Sequence, residues 1–232
     1  MSAVVTPTTT FCTEAWDLVA PWRDAVERMP FIVALADGSL PAESFTFYLA
    51  QDAAYLREYS RVLSRAAQLA PDTAAQSFFA RSALQAVEVE TQLHRDWLGS
   101  RGQEADVEPS PVTAAYTGHL HQAASGSYGE AVAALLPCYW LYAHVGEVLL
   151  DQAAVGPQGL AAHPYGAWIG TYADPGFQES AARARALVDE AARWASPAER
   201  ARMLRAFELS SVHEFLFFDQ GVTRPTWPSP TV

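Results

Sequence analysis

The stretch Phe45-Thr46-Phe47-Tyr48-Leu49-Ala50-Gln51-Asp52-Ala53-Ala54-Tyr55-Leu56-Arg57-Glu58-Tyr59 decides the fold class. Phe45, Tyr48, Leu49, Tyr55, Leu56 and Tyr59 recur at three- and four-residue spacing, the stripe of an α-helix that turns one side to a core. Asp52 falls on that stripe, four residues after Tyr48 and three before Tyr55. Its carboxylate is expected among phenol rings, and burial disfavours its charge unless it is hydrogen-bonded or neutralised. Two readings stay open for it: a structural tie to a tyrosine hydroxyl or backbone group, or an acid–base role.

The same spacing extends over nearly the whole chain, alanine is abundant, and no stretch keeps a period of two, so the class is all-α. Stop and start signals divide it into Thr13 to Arg28, Pro41 to Leu69, Asp72 to Leu98, Pro111 to Ser125, Tyr128 to Ala153, His163 to Tyr172, Phe177 to Ala195 and Pro197 to Gln220. Ser110-Pro111 and Ser196-Pro197 each place a capping hydroxyl before a proline whose missing N–H costs nothing in the first turn. Gly99, Gly126 and Gly156 stand where helices should end. The expected organisation is a polar N-terminal tail over 1–10, one helical domain over 11–222, and a proline-rich tail over 223–232 that lies along the surface.

A chain of 232 residues, half of them apolar, can bury a sizeable core. Its net charge of −11 repels phosphate backbones, and no basic cluster offsets it, so nucleic acid is not expected as a partner. Residues 1–10 lack the basic and apolar regions of a secretory signal, and no apolar stretch approaches the roughly 20 residues that span a bilayer. Cys12 and Cys138, the only cysteines, are expected reduced, in a cytoplasmic protein.

Two further polar residues sit on apolar faces. Met203, Leu204, Phe207, Ser211, Phe215 and Phe218 mark an inward stripe that also carries Glu214; the alternative is a helix edge from which Glu214 reaches solvent beside His213. Cys138, in Leu135-Leu136-Pro137-Cys138-Tyr139-Trp140-Leu141-Tyr142, fits simple packing or a nucleophile. Pro137 removes a backbone hydrogen bond mid-helix and is expected to kink it, as helices lining cavities often are. Asp52, Cys138 and Glu214 together would furnish a thiol and two carboxylates to an aromatic-walled pocket suited to a flat, neutral or weakly basic ring. Metal ligation has little support. Paired Glu-x-x-His is absent, Glu90 and His94 are four apart, His144 and Glu147 run in reverse order, and no Cys/His cluster reads as zinc.

In their order and separation, several fragments resemble the thiaminase II, or TenA, family of aminopyrimidine aminohydrolases. They are Phe47 to Leu56, Glu90 and His94, Ser110-Pro111 with Ala115-Tyr116-Thr117 and His119, Leu135 to Tyr142 with Gly146-Glu147, Trp168 to Tyr172, and Ser210-Ser211 with Glu214 and Phe217. The resemblance implies a haem-oxygenase-like helical bundle, assembled as a homotetramer, with no metal or organic cofactor. It implies Cys138 as nucleophile, Asp52 as the group that holds the pyrimidine's amino group and adjacent ring nitrogen, and Glu214 as proton donor and acceptor. Tyr55, Tyr116, Tyr142, Tyr172 and Phe217 match positions that line the family's pocket. The implied reaction converts 4-amino-5-aminomethyl-2-methylpyrimidine to its hydroxymethyl product and ammonia, with slower hydrolysis of thiamine.

The chain departs from the family's pattern after Glu214, where Phe217-Phe218-Asp219-Gln220-Gly221-Val222 stands. Entrance or tetramer contacts are expected to differ there, and His213 either shifts the acidity of Glu214 or faces away. Two other classes compete with the hydrolase: a non-catalytic pyrimidine- or thiamine-binding protein, and a metal-dependent oxidase on the same bundle. The trio of Asp52, Cys138 and Glu214 argues against the first and the missing ligand pairs against the second.

Overall fold

The computed structural model describes residues 10–94, 97, 107–152 and 157–229. Its helices are α1 Phe11–Leu18, α2 Ala20–Arg28, α3 Pro30–Ala36, α4 Ala42–Leu69, α5 Thr73–His94, α6 Pro111–Ala124, α7 Tyr128–Gln152, α8 Pro157–Leu160, α9 Gly166–Ala173, α10 Pro175–Trp194 and α11 Pro197–Thr223. No strand occurs among the described residues. The tail over 1–9, Gly99, Gly156, residues 230–232 and the side chains of Glu90 and His94 lie outside the described residues.

The capping signals act where they were read. Ser110 and Ser196 accept hydrogen bonds from Thr113 N and Glu199 N, with Pro111 and Pro197 in the first turns. Later in the chain α9 begins at Gly166 rather than His163, α10 at Pro175 rather than Phe177, and α11 runs on to Thr223; three further differences lie near the N-terminus. Thr10 caps α1 through Thr13 N, so the helix begins at Phe11. The expected single helix from Thr13 to Arg28 is broken at Val19, because Pro21 has no N–H to continue α1 and instead sits in the first turn of α2. Pro30–Ala36, expected as a connection, is a two-turn helix too short to show a periodic stripe.

The core is organised on α4, α7 and α11. α4 pairs along its length with α5 and touches α6, α7 and α11, while α7 also packs on α6, α9 and α10. Partners on several sides explain why every residue of α4 from Tyr48 to Tyr55 is buried, where the sequence suggested only a stripe. α11 keeps its stripe, with Met203, Phe207, Ser211, Glu214 and Phe218 buried. Leu204 and Phe215 are only half-buried at its edge.

The expectation that no apolar run approaches membrane-spanning length needs correction. By length and composition α7 qualifies, with 25 residues and a mean hydropathy of 1.3 over its best window, 72% of which is buried inside the bundle. Scattered charges such as Glu130 and Glu147 interrupt the apolar run in sequence without lowering its average enough. α7 continues in helical conformation through Pro137. Both cysteines are free, and Cys12 is buried with its Sγ 3.4 Å from the carbonyl of Arg185. After α11, Arg224 adopts the left-handed conformation and the tail is held by Trp227 Nε1, which donates to the Pro109 carbonyl at 2.9 Å.

Candidate active site

Five helices deliver the residues singled out in the sequence: α4 carries Asp52 and Tyr55, α6 Tyr116, α7 Cys138 and Tyr142, α9 Tyr172, and α11 Glu214 and Phe217. Their rings form a continuous cluster. Centroid separations are 4.9 Å for Tyr55–Tyr116, 5.3 Å for Tyr55–Phe217 and 4.8 Å for Tyr142–Tyr172. Tyr48 ties the two ends together, lying 5.7 Å from Phe217 and sharing a 2.8 Å hydroxyl–hydroxyl hydrogen bond with Tyr142. The close approach of α9 depends on Gly146. A Cβ there would stand 2.5 Å from the Tyr172 carbonyl carbon and 2.8 Å from Ala173 N. Only glycine lets the backbone of α9 rest on α7 at that point and bring Tyr172 to the site.

Asp52 and Glu214 are both buried, at 3% and 1% exposure, so Glu214 does not reach solvent from a helix edge. The Tyr116 hydroxyl donates to Glu214 Oε1 at 2.6 Å. Burial raises the Glu214 carboxyl to about 8; the Tyr116 hydrogen bond opposes this and the nearby Asp52 charge adds to it. Glu214 therefore holds a proton at neutral pH. Burial also pushes the Cys138 thiol well above its ordinary range; the Glu214 charge adds to the rise, Tyr55 opposes it, and Asp52 adds a smaller push. The resting sulfur is a thiol, and the carboxylate that weighs on it most is the one that exchanges protons near neutrality.

Cys138 is half-buried because one side of it borders a cavity of about 720 Å³. Tyr59, Tyr139, Tyr172, Phe177 and Leu56 are among the walls, so the cavity runs from the thiol outward between α4 and α5 on one side and α9 and α10 on the other. Asp52, Glu214, Tyr55, Tyr116, Tyr142 and Phe217 do not line this space; of these, Asp52, Glu214, Tyr55 and Tyr116 are close enough to the thiol to interact with it electrostatically. The buried Tyr55 hydroxyl faces the thiol and Tyr116, and its hydrogen bonding keeps the pKa of both groups from rising further. Tyr48, Tyr59 and Tyr139 belong to the same neighbourhood but were not singled out as site residues, although Tyr48 and Tyr59 share the Asp52 stripe. The Tyr59 hydroxyl donates to the Leu135 carbonyl at 3.0 Å, bracing α4 against α7 one turn before Cys138.

The departures after Glu214 have interior roles. Gln220 is fully buried, and its Oε1 accepts from Ser110 Oγ at 2.6 Å, so it completes the start of α6. A Cβ on Gly221 would meet the Phe31 ring at 2.4 Å, which makes it the contact point between α11 and α3. His213 stacks on Tyr116, centroids 5.2 Å apart and planes 10° from parallel, and is not among the groups that shift Glu214. Burial and His119 lower His213 to about 4, leaving it neutral. His144 pairs with Glu27 at 2.6 Å, and no group of three or more His, Cys, Asp or Glu side chains among the described residues is placed to hold a metal ion.

A helical bundle of the haem-oxygenase-like class, with an enclosed aromatic site on its central helices, is what the fold and site define. Residues 16–224 match the TENA/THI-4/PQQC family, and the chain belongs to that family. It is 33% identical over 228 residues to an aminopyrimidine aminohydrolase of Bacillus subtilis, covering 96% of this chain and 94% of the relative. It is 39% identical over 214 residues to the thiamine biosynthesis multifunctional protein ThiED of Corynebacterium efficiens, covering 91% of this chain but spanning only 28% of that relative's length. The solved TenA homologue from P. horikoshii OT3 superposes with a TM-score of 0.80 at 25% identity, covering 91% of this chain and 98% of that one.

Proposed function

We propose that this chain is a hydrolase of the thiamine-salvage type that cleaves the methylene C–N bond of aminopyrimidines, acting on 4-amino-5-aminomethyl-2-methylpyrimidine and more slowly on thiamine. The observation that carries the reading is the buried Glu214, hydrogen-bonded by Tyr116 at 2.6 Å and close enough to the Cys138 thiol to act on its acidity, beside an aromatic-walled cavity. The relatives named aminopyrimidine aminohydrolase support the reaction class.

The bond to be broken is inert while the ring is aromatic. In the proposed sequence Cys138 Sγ adds to a ring carbon, Glu214 gives its proton to a ring nitrogen and takes up the thiol's, and Asp52 holds the amino group and the adjacent nitrogen. Glu214 passes the proton taken from the thiol to the departing nitrogen, and the electron pair of the dearomatised ring expels that nitrogen as ammonia. Water adds its hydroxyl to the exocyclic methylene and gives its proton back to Glu214; Sγ then leaves, taking up the ring-nitrogen proton and restoring aromaticity, and the net change is amine plus water giving alcohol plus ammonia. A carboxyl near 8 suits both donation and acceptance at neutral pH. Tyr55, Tyr142, Tyr172 and Phe217 supply the stacking and hydrogen-bonding walls that keep competing water away from the thiol. No metal or organic cofactor takes part in this scheme. We further propose that the protein works in the cytoplasm as a homotetramer.

The test is to incubate chelator-treated protein with 4-amino-5-aminomethyl-2-methylpyrimidine and to measure ammonia and the hydroxymethyl pyrimidine together. Equal amounts of the two are expected. Unchanged substrate would end the proposal.

A further inference from the structure

Glu214 is served by a ring that the reaction scheme does not use. His213 precedes it on α11, and the His213 imidazole lies on the Tyr116 phenol with centroids 5.2 Å apart and planes 10° from parallel. One helix therefore supplies both the carboxyl that Tyr116 holds and the flat ring stacked on Tyr116. Phe217, one turn further along α11, meets the same phenol edge-on at 6.4 Å. His213 also meets His119 of α6, centroids 5.4 Å apart, and His119 is anchored on α11 in turn: its Nε2 lies 3.0 Å from Ser210 Oγ and 3.2 Å from the Ala206 carbonyl.

Tyr116 is fully buried, and its hydroxyl donates to Glu214 Oε1 at 2.6 Å while Tyr55 stands close enough to act on it as well. The hydroxyl oxygen of a phenol lies on the axis of its ring, so only a swing of the whole ring carries it off Glu214. A second ring stacked on its face opposes that swing. His213 contributes by this contact alone, for its Nδ1 is buried without a hydrogen-bond partner. Burial and His119 lower it to about 4, so the ring stacks uncharged at neutral pH.

Resting on the aminohydrolase reading above for the use of the Glu214 proton, we propose that His213 is a positioning residue whose stacked ring keeps the Tyr116 hydroxyl on Glu214, and so keeps that carboxyl ready both to donate and to accept. The Tyr116 bond favours the carboxylate and works against burial. Loss of the stack weakens the bond, and Glu214 then holds its proton to higher pH. Glu214 faces Tyr48, Asp52 and Tyr55 from α4, Tyr116 from α6, Cys138 and Tyr142 from α7 and Tyr172 from α9, while His213 faces Tyr116 and His119. All of these stay in place when residue 213 is changed.

The experiment compares wild type, His213→Ala and His213→Phe in two measurements. The first needs no substrate: the side-chain carboxyl carbon of Glu214 is followed by NMR from pH 5 to 10 in glutamate-labelled protein, assigned by its loss in Glu214→Gln. The second is kcat and KM for 4-amino-5-aminomethyl-2-methylpyrimidine over the same range. His213→Ala should move the Glu214 titration up by about 0.5–1 pH unit, part of what a hydrogen bond to a charged group is worth. Its kcat at pH 7 should fall about threefold to tenfold with KM within about twofold. His213→Phe restores a flat ring and should bring titration and kcat back close to wild type, with Tm equal or higher because the unpaired nitrogen is gone. An unmoved Glu214 titration in His213→Ala would overturn the proposal, whatever the change in Tm. So would a His213→Phe protein that titrates and turns over like His213→Ala. If no protein, wild type included, released ammonia, the aminohydrolase reading would fall, while the carboxyl titration would still decide whether His213 positions Tyr116.

Discussion

Glu214→Gln should separate the proton the site needs from the stability it costs. Glu214 goes from its ordinary 4.5 to about 8 on folding, because burial penalises the carboxylate. At about 1.36 kcal/mol per pH unit, ionising it in the native state costs on the order of 5 kcal/mol more than in the unfolded chain. The sign follows from proton counts. Between pH 4.5 and 8 the native state holds a proton here that the unfolded state has released, so stability is greatest below about 4.5 and declines as pH rises through about 8. Glutamine keeps the shape, can still accept from Tyr116, and cannot ionise. Urea unfolding of both proteins from pH 5 to 9 isolates the effect, because the other acidic groups cancel in the difference. The variant should gain on wild type by several kcal/mol across that range while losing activity. Parallel stability curves would refute the argument that burial outweighs the Tyr116 hydrogen bond and keeps this carboxyl protonated.

Tyr116→Phe removes the hydrogen bond that favours the Glu214 carboxylate, so the alkaline limb of the pH–rate profile should move up from about 8, and a downward shift would contradict the contact. Gly146→Ala forces a methyl group against the Tyr172 backbone; a loss of about 1–3 kcal/mol by denaturation, with a raised KM, is expected from displacing α9. Gln220→Leu leaves Ser110 without its acceptor at the start of α6 and should cost about 1–3 kcal/mol in stability with kcat little changed, since it acts away from the thiol. In the protein without substrate, iodoacetamide should label Cys138 slowly at pH 7, because burial and Glu214 keep it a thiol; rapid labelling would mean a thiolate at rest.

The periodicity of residues 45–59 was enough to establish helices and to put Asp52 inside, because a charged residue between tyrosines on one face can hardly be exposed. Glu214 was ambiguous in the sequence, since its stripe borders His213; the structure resolves it through Tyr116, which comes from a helix nearly a hundred residues earlier and leaves no local trace. The Gln220-Gly221 departure, read as altering entrance or tetramer contacts, has an interior role besides: Gln220 completes the buried start of α6 and Gly221 admits Phe31. Pro30–Ala36 was passed over because seven apolar residues carry no period. Gly146 shows the converse: it was visible within a family motif, but its purpose needs the tertiary approach of α9.

The account rests on the Cys138 thiol adding to the ring. Single-turnover release of ammonia from 4-amino-5-aminomethyl-2-methylpyrimidine, measured for wild type and Cys138→Ser with binding of the hydroxymethyl product as a control for fold, tests it most directly. The account predicts retained product binding with ammonia release slowed by at least about 10³-fold; release within about tenfold of wild type would contradict it.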